Sequence, residues 1–256
     1  MPPALPQFSI VIPARNEAAN IARLIDEIAA VCAPLGSYEI VVVDDASEDG
    51  MRAVLDKKLG EGLPLTVLRH DRPGGQSAAL HSGVTAARGG VICTLDGDGQ
   101  NPPAELPKLL APFAADAEET LGLVAGQRLN RQDTWTKKAA SRFANRLRGA
   151  LLRDGTRDTG CGLKAFRRKA YLGLPFFRNM HRYLPALFLR DGWRIMHVDV
   201  AHAERWGGQS HYTNIDRALE GLFDLAGVAW LIRRRKSCRV ESQTRAAEAE
   251  DRTWMS

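Results

Sequence analysis

The stretch Val91-Ile92-Cys93-Thr94-Leu95-Asp96-Gly97-Asp98-Gly99-Gln100, followed after one residue by Pro102-Pro103, decides how the chain is read. An apolar, β-rich run ends in carboxylates, and two prolines then announce a helix start. The same order recurs upstream. Phe8-Ser-Ile-Val-Ile-Pro13 is a short strand stopped by proline, and Ala18 to Val31 carries Ile21, Leu24, Ile25 and Ile28 at helical spacing. Glu39-Ile-Val-Val-Val-Asp44 is a continuous β-branched run, the mark of a strand buried on both faces. Ser47 is expected to cap the next helix. Leu65 to Leu68 reads as a third strand, Gly74-Gly75 as the opening of a small-residue helix through Ala87, and Leu121 to Ala125 as a fifth strand. Repeated β-α-β units predict an α/β fold with a mostly parallel central sheet flanked by helices on both sides.

Composition agrees. In 256 residues, apolar side chains make up 45% and charged ones 25%, close to a globular average, so a disordered chain or a collagen-like repeat is excluded. Cys32, Cys93, Cys161 and Cys238 show no C-x-x-C pairing and read as isolated thiols of a reducing compartment. The net charge of +5 favours anionic partners. Nucleic acid is not expected among them, because the basic residues are dispersed and no helix-turn-helix, zinc or RNA-binding signature is present. Residues 1–7 lack the basic and apolar regions of a secretory signal, and no run of about 18 apolar residues predicts a membrane span.

The second half has a different texture. Thr134 to Arg153 predicts a basic amphipathic helix with Phe143, Leu147 and Leu151 on one face. Asp158-Thr-Gly-Cys-Gly-Leu-Lys-Ala-Phe166 is a glycine-punctuated loop entering a strand, His181 to Leu189 a helix, Arg194 to Val200 a strand, and Ile215 to Arg235 a last helix. The expected organisation is an N-terminal extension (1–7), one catalytic domain (8–214), an interfacial or packing helix with a basic end (215–239), and a polar, disordered tail (240–256).

In a parallel sheet, ligands bind at the carboxyl ends of the strands. Two of those ends are acidic here, Asp44-Asp45 and Asp96-Gly97-Asp98. With glycine between them at a strand end, Asp96 and Asp98 can turn toward one ion, and their oxygen ligands suit Mg2+ or Mn2+. Gln100 offers a further amide oxygen. A carboxylate at the Asp44-Asp45 end can accept hydrogen bonds from a nucleobase or ribose. The first strand leads into Pro-Ala-Arg-Asn-Glu17 and not into G-x-G-x-x-G, which argues against a dehydrogenase.

F-S-I-V-I-P-A-R-N-E, V-V-V-D-D-A-S-E-D-G, L-D-G-D-G-Q and E-R-W-G-G-Q-S-H-Y, in that order, resemble the motifs of family-2 glycosyltransferases, most closely the dolichyl/polyprenyl-phosphate mannosyltransferase branch. The resemblance runs from about Phe8 to Arg235. It implies a GT-A-type nucleotide-sugar domain, a divalent metal, and inversion at the anomeric carbon. It places Pro13, Arg15, Glu17, Val43 and Asp45 around the nucleoside. It places Asp96, Gly97, Asp98 and Gln100 at the metal and diphosphate, and Arg128 and Arg205 at the donor diphosphate or acceptor phosphate. His211 stands where this branch commonly has lysine, which would make phosphate binding sensitive to pH. Arg15 stands where it commonly has tyrosine, which leaves the base open. Asp158 is the candidate for orienting acceptor or donor sugar. Ser141, Arg142, Asn145 and Arg182 are weaker phosphate candidates, and His181 reads as a helix-start residue.

The activity the resemblance implies is transfer of a hexose, mannose from GDP-mannose, to a polyprenyl or dolichyl phosphate. A UDP-sugar donor with undecaprenyl phosphate, transfer to a sugar hydroxyl, or a sugar-nucleotide-binding scaffold without turnover are the alternatives. Ile215 to Ile232 has an acidic stripe (Asp216, Glu220, Asp224) and otherwise apolar cover, and ends at Trp230 and Arg233-Arg-Arg-Lys236. That pattern suits either a helix packed on the domain or one lying in a bilayer interface. The expectation is a peripheral enzyme on the cytoplasmic membrane face, working with a membrane surface and a membrane-protein partner.

Overall fold

The computed structural model describes residues 5–128, 148–149, 151–203, 214–235 and 238, with side chains omitted for 214–220. Among these residues seven strands form one sheet. In chain order they are β1 (Phe8–Ala14), β2 (Tyr38–Asp44), β3 (Leu65–Arg69), β4 (Val91–Thr94), β5 (Leu121–Arg128), β6 (Lys164–Arg167) and β7 (Arg194–Val200). The helices are α1 (Ile21–Cys32), α2 (Met51–Leu59), α3 (Gln76–Ala86), α4 (Leu106–Ala114), α5 (Arg168–Leu172), α6 (Leu184–Arg190) and α7 (Asn214–Arg233). The spatial order is β3-β2-β1-β4-β6-β5-β7. β6 runs against its neighbours β4 and β5, and every other pairing is parallel. The sheet is therefore mostly parallel, as the alternation predicts.

Both faces are covered. On one side Ile21, Leu24, Ile25 and Ile28 of α1 are fully buried against Ile10, Ile12, Ile40 and Val42, together with Leu106 and Leu109 of α4. Each such side chain contributes about 1.5–3 kcal/mol of burial. On the other side α3 packs Ala79, Leu80 and Val84 against Val11, Val41 and Val43. Gly83 permits that contact, since a Cβ there would lie 2.4 Å from Val11 Cγ1. Phe166, Tyr171 and Phe188 continue the same core, with Phe166 and Tyr171 stacked at 4.9 Å.

Three expectations are corrected. Ser47 does not cap α2, whose N-cap is Gly50. Its Oγ instead accepts the Asn16 amide at 2.9 Å, tying the loop after β1 to the loop after β2. Leu151, placed by helical spacing on an apolar face, is 40% exposed while Leu152 is buried, because the chain turns where Arg148 forks onto Asp154 (2.9 and 2.5 Å). The segment from His181 is a 3-10 turn (Met180–Arg182) followed by α6 rather than one helix, since Pro185 is accommodated only in the first turn of α6.

Candidate active site

The carboxyl ends of β1, β2 and β4 lie side by side, because Pro13 pairs with Val43 and Val11 with Thr94. Asp96 therefore emerges next to the loop after β1. A Cβ on Gly97 would stand 3.0 Å from Ala14 Cβ and 3.5 Å from Glu17 Cγ, so the acidic turn packs closely on the Ala14–Glu17 segment. Glu17 is buried and accepts from Asn20 Nδ2 at 2.6 Å, ahead of α1 rather than inside it. Pro13 is half-buried, Arg15 is exposed, and the Val43 side chain is spent in the core.

Asp96 is held by two amides, Gln76 Nε2 to Oδ1 at 2.7 Å and Asn101 Nδ2 to Oδ2 at 3.0 Å. A Cβ on Gly162 would sit 2.2 Å from Asp96 Oδ2, so the loop before β6 closes directly over this carboxylate. Asp98 Oδ1 accepts the Gln100 amide at 3.1 Å, and the Gln100 carbonyl accepts the Ala203 amide at 3.0 Å, bringing the exit of β7 to the same place. Burial and the neighbouring Asp98 carboxylate push the Asp96 carboxyl above its ordinary range, against the opposing pull of Asn101, Lys164 and Arg128. A crowded pair of carboxylates is what a hard cation relieves. Among the described residues no group of three His, Cys, Asp or Glu side chains could hold a metal by itself. Asp96 and Asp98 thus fit a cation that completes its shell with phosphate oxygens and water, as Mg2+ does.

Asp44 and Asp45 part company. Asp44 is structural: it accepts from the Ser47 amide (2.8 Å) and from Arg69 Nη1 (2.6 Å). Asp45 is buried and accepts from the Gly74 amide and His70 Nδ1 on Oδ1 (2.8 and 2.6 Å) and from the Gly75 amide on Oδ2 (2.8 Å). Burial opposes its ionisation, but the two amides and His70 outweigh that and lower its pKa. His70 Nε2 lies 2.9 Å from Ser82 Oγ. A Ser82–His70–Asp45 chain therefore exists, which the sequence did not announce because its members lie on α3, after β3 and after β2. The chain serves to fix Asp45 to residues 70–75.

The family model for glycosyl transferase family 2 matches residues 9–173. The chain belongs to that family. It is 36% identical over 224 residues to an undecaprenyl-phosphate 4-deoxy-4-formamido-L-arabinose transferase of Enterobacter sp., a match covering 87% of this chain and 67% of the relative. The chain spans about two thirds of the length of the curated relatives it matches. Among solved structures, glucosyl-3-phosphoglycerate synthase from Mycobacterium tuberculosis, in complex with Mn2+, UDP-glucose and phosphoglyceric acid, superposes with a TM-score of 0.66 at 21% identity, covering 89% of this chain and 79% of that one. A mannosyltransferase from Pyrobaculum calidifontis in complex with GDP-mannose and Mn2+ gives 0.59 at 25% identity, covering 82% and 59%. The fold is GT-A-like.

Within this family-2 domain, Arg128 at the end of β5 and Asp158 meet as a fork, Nε to Oδ2 at 2.5 Å and Nη2 to Oδ1 at 2.9 Å. The buried Gln127 side chain fixes the Asp158 loop by accepting the Arg157 and Asp158 amides at 2.8 and 3.0 Å. The structure thus brings Asp96, Gly97, Asp98, Gln100, Glu17 and Pro13 to one strand end, beside Asp45. Arg128 interacts electrostatically with Asp96 from β5. His181 binds the Ser77 hydroxyl (2.8 Å) and so supports α3. Arg205, His211, Ser141, Arg142 and Asn145 lie outside the described residues, as do residues 240–256.

Sequence reasoning missed Gln76, Asn101, His70 and Lys164. Gln76 follows Gly74-Gly75, and Asn101 follows the acidic turn, so position beside a glycine turn was the available signal. Lys164 and His70 carried none.

Proposed function

We propose that this family-2 glycosyltransferase moves a sugar from a nucleotide-sugar donor to a polyprenyl phosphate, with undecaprenyl phosphate the acceptor the Enterobacter relative's name supports. The observation that carries the reading is the convergence of Asp96 and Asp98 with Glu17 and Asp45 at adjoining strand ends. The donor diphosphate lies over Asp96 and Asp98, the nucleoside toward Pro13, Arg15, Glu17 and Asp45, and the catalytic domain is residues 8–214. A divalent cation, Mg2+ or Mn2+, held by Asp96 and Asp98 with Gln100 beside them, supplies Lewis-acid stabilisation of the departing diphosphate. Arg128 and Arg205 supply fixed positive charge to the phosphates. A phosphate oxygen of the acceptor attacks the anomeric carbon, and the bond to the diphosphate oxygen breaks with inversion. That phosphate is already ionised at neutral pH, so no proton has to be removed. Asp158 orients a substrate through its loop and is not required as a base.

The finer reading of the donor, mannose from GDP-mannose, competes with a UDP-sugar, and Asp45 favours the second. A carboxylate has about four acceptor positions, of which the Gly74, Gly75 and His70 donors take three. One position accepts a single imide N–H, as in uracil, whereas guanine presents two adjacent donors that call for both oxygens.

The membrane reading rests on α7. Leu225 and Val228 pack on the core, Asn179 binds Asp224 at 3.0 Å and Tyr183 binds the Gly221 carbonyl at 3.2 Å. Leu222, Phe223 and Trp230 point outward at 56%, 78% and 59% exposure, and Arg233 and Arg234 follow on that side. The helix both packs and presents an apolar, basic-ended face to a bilayer surface. No described helix is long and apolar enough to cross a membrane. We place the protein at the cytoplasmic face, peripheral, where the lipid-linked acceptor named for the Enterobacter relative would be met.

The test is a thermal-shift panel of GDP- and UDP-sugars with and without Mn2+, then nucleoside diphosphate release in detergent with and without polyprenyl phosphate. Mn2+-dependent stabilisation and release that requires the lipid are expected. Release unchanged without lipid overturns the acceptor, and stabilisation by no nucleotide overturns the reading as a whole.

A further inference from the structure

Asp45 follows β2 directly, and its amide donates to the Ala14 carbonyl at the end of β1 at 2.9 Å, which seats it at the strand ends. Its two carboxylate oxygens are not equivalent. Oδ1 accepts from the Gly74 amide and from His70 Nδ1, so both of its lone pairs are engaged. Oδ2 accepts from the Gly75 amide alone and keeps one position. Against the cost of burial, these donors hold Asp45 below the ordinary carboxylate range. An ionised carboxylate cannot donate, so the proton in the 2.6 Å contact belongs to His70 Nδ1. The ring is fixed from three sides. The His70 amide donates to the Asp44 carbonyl at 2.9 Å, and Nε2 lies 2.9 Å from Ser82 Oγ on α3. Gly74 closes over the contact: a Cβ there would stand 2.9 Å from Ala78 Cβ, 3.4 Å from His70 Nδ1 and 3.5 Å from Asp45 Oδ1.

We propose that His70, held in place by Ser82, is a positioning residue that sets base specificity: by saturating Asp45 Oδ1 it leaves one acceptor, on Oδ2, and so selects uracil over guanine. This rests on the reading of Asp45 as a residue of the nucleoside pocket. Uracil presents one N–H between two carbonyls, and the open position of Oδ2 takes it. Guanine presents N1–H and the N2 amino group side by side. Its second donor meets an oxygen whose lone pairs are already spent, and a donor left without a partner costs the free energy of its lost hydration. Without the His70 proton, Oδ1 regains a position, and two adjacent donors find two oxygens. His70 thus acts on the base through Asp45.

The experiment is isothermal titration calorimetry of the full chain with UDP and with GDP in Mn2+ buffer, for wild type, His70→Ala, His70→Asn, Ser82→Ala and Asp45→Asn. Wild type is expected to bind UDP more tightly. The preference for UDP over GDP is expected to fall about tenfold in His70→Ala, the size of one hydrogen bond regained by guanine. Ser82→Ala, which only loosens the ring, is expected to lose part of it. An asparagine amide can stand in for Nδ1 and is smaller than imidazole, so His70→Asn is expected to keep the wild-type preference, which separates the donor from the space it fills. An unchanged preference in His70→Ala overturns the proposal, and so does an equal loss in His70→Asn or a wild type that prefers GDP. If His70→Ala is unfolded by circular dichroism, Ser82→Ala decides, and a preference equal to wild type overturns the proposal. Asp45→Asn turns an N–H toward the base and is expected to weaken UDP. If it binds UDP as wild type does, the reading of Asp45 fails, and if no form binds UDP or GDP, the nucleotide-sugar reading fails with it.

Discussion

Arg128 and Asp158 meet through two parallel hydrogen bonds, Nε to Oδ2 and Nη2 to Oδ1, 30 residues apart in sequence and both largely buried. The motifs present them as separate candidates, one for phosphate and one for an acceptor. As a pair they act together: the fork fixes the guanidinium plane at the end of β5. The loop of residues 157–160 is thereby clamped beside the acidic turn.

That clamp is measurable. Arg128→Ala, Asp158→Ala and the double variant form a cycle whose coupling energy in unfolding is expected at about 1–3 kcal/mol, the range for contacting charged neighbours. Asp158→Asn retains one hydrogen bond and loses less. A coupling energy near zero by urea denaturation would show that the fork holds nothing.

Gly162 is expected to tolerate no side chain. Alanine there puts a Cβ 2.2 Å from Asp96 Oδ2, so the carboxylate or the loop must move. Gly162→Ala is expected to cost about 1–3 kcal/mol, the usual range for overpacking, and to abolish Mn2+-dependent stabilisation. Asp98→Asn should abolish that stabilisation with a smaller effect on folding. Calorimetric scans with and without Mn2+ separate the two effects.

Acid stability has an identifiable contributor far from the site. Burial disfavours the Asp116 anion, but the Leu121 amide with Arg167 and Arg194 outweighs it and holds the carboxyl near a pKa of about 2 against an ordinary 3.8. A depressed carboxyl stabilises the fold above its unfolded pKa and loses that contribution as pH falls through the folded one. The Asp116 contribution is therefore complete above about pH 4 and disappears between 3.8 and about 2. Asp116→Asn should lower the melting temperature at pH 7 and match wild type near pH 2, and a thermal-melt series over pH 2–7 reads the convergence.

For α7, replacing Leu222, Phe223 and Trp230 with serine is expected to leave stability within about 0.5 kcal/mol, since these side chains face outward. It should also abolish co-sedimentation with anionic lipid vesicles. Glutamate at Arg233, Arg234 and Arg235 should weaken the same binding in a salt-dependent way. Unchanged sedimentation of both variants would leave the helix as packing alone.

Much of this molecule follows from local pattern. The β-branched run Glu39–Asp44 and the acidic end of Val91–Gln100 specify buried parallel strands whose carboxyl ends carry acids, because period and composition are properties of neighbouring residues. The family motifs rest on the same short segments. What the sequence by itself could not decide was every relation between segments. Ser47 reads as a cap but serves Asn16, and Asp44 and Asp45 are adjacent yet take opposite roles. Gln76, Gly162 and Lys164 surround Asp96 from α3, the loop before β6 and β6 itself. Only the packed sheet brings them together, because strand pairing fixes positions in space that separation along the chain leaves free.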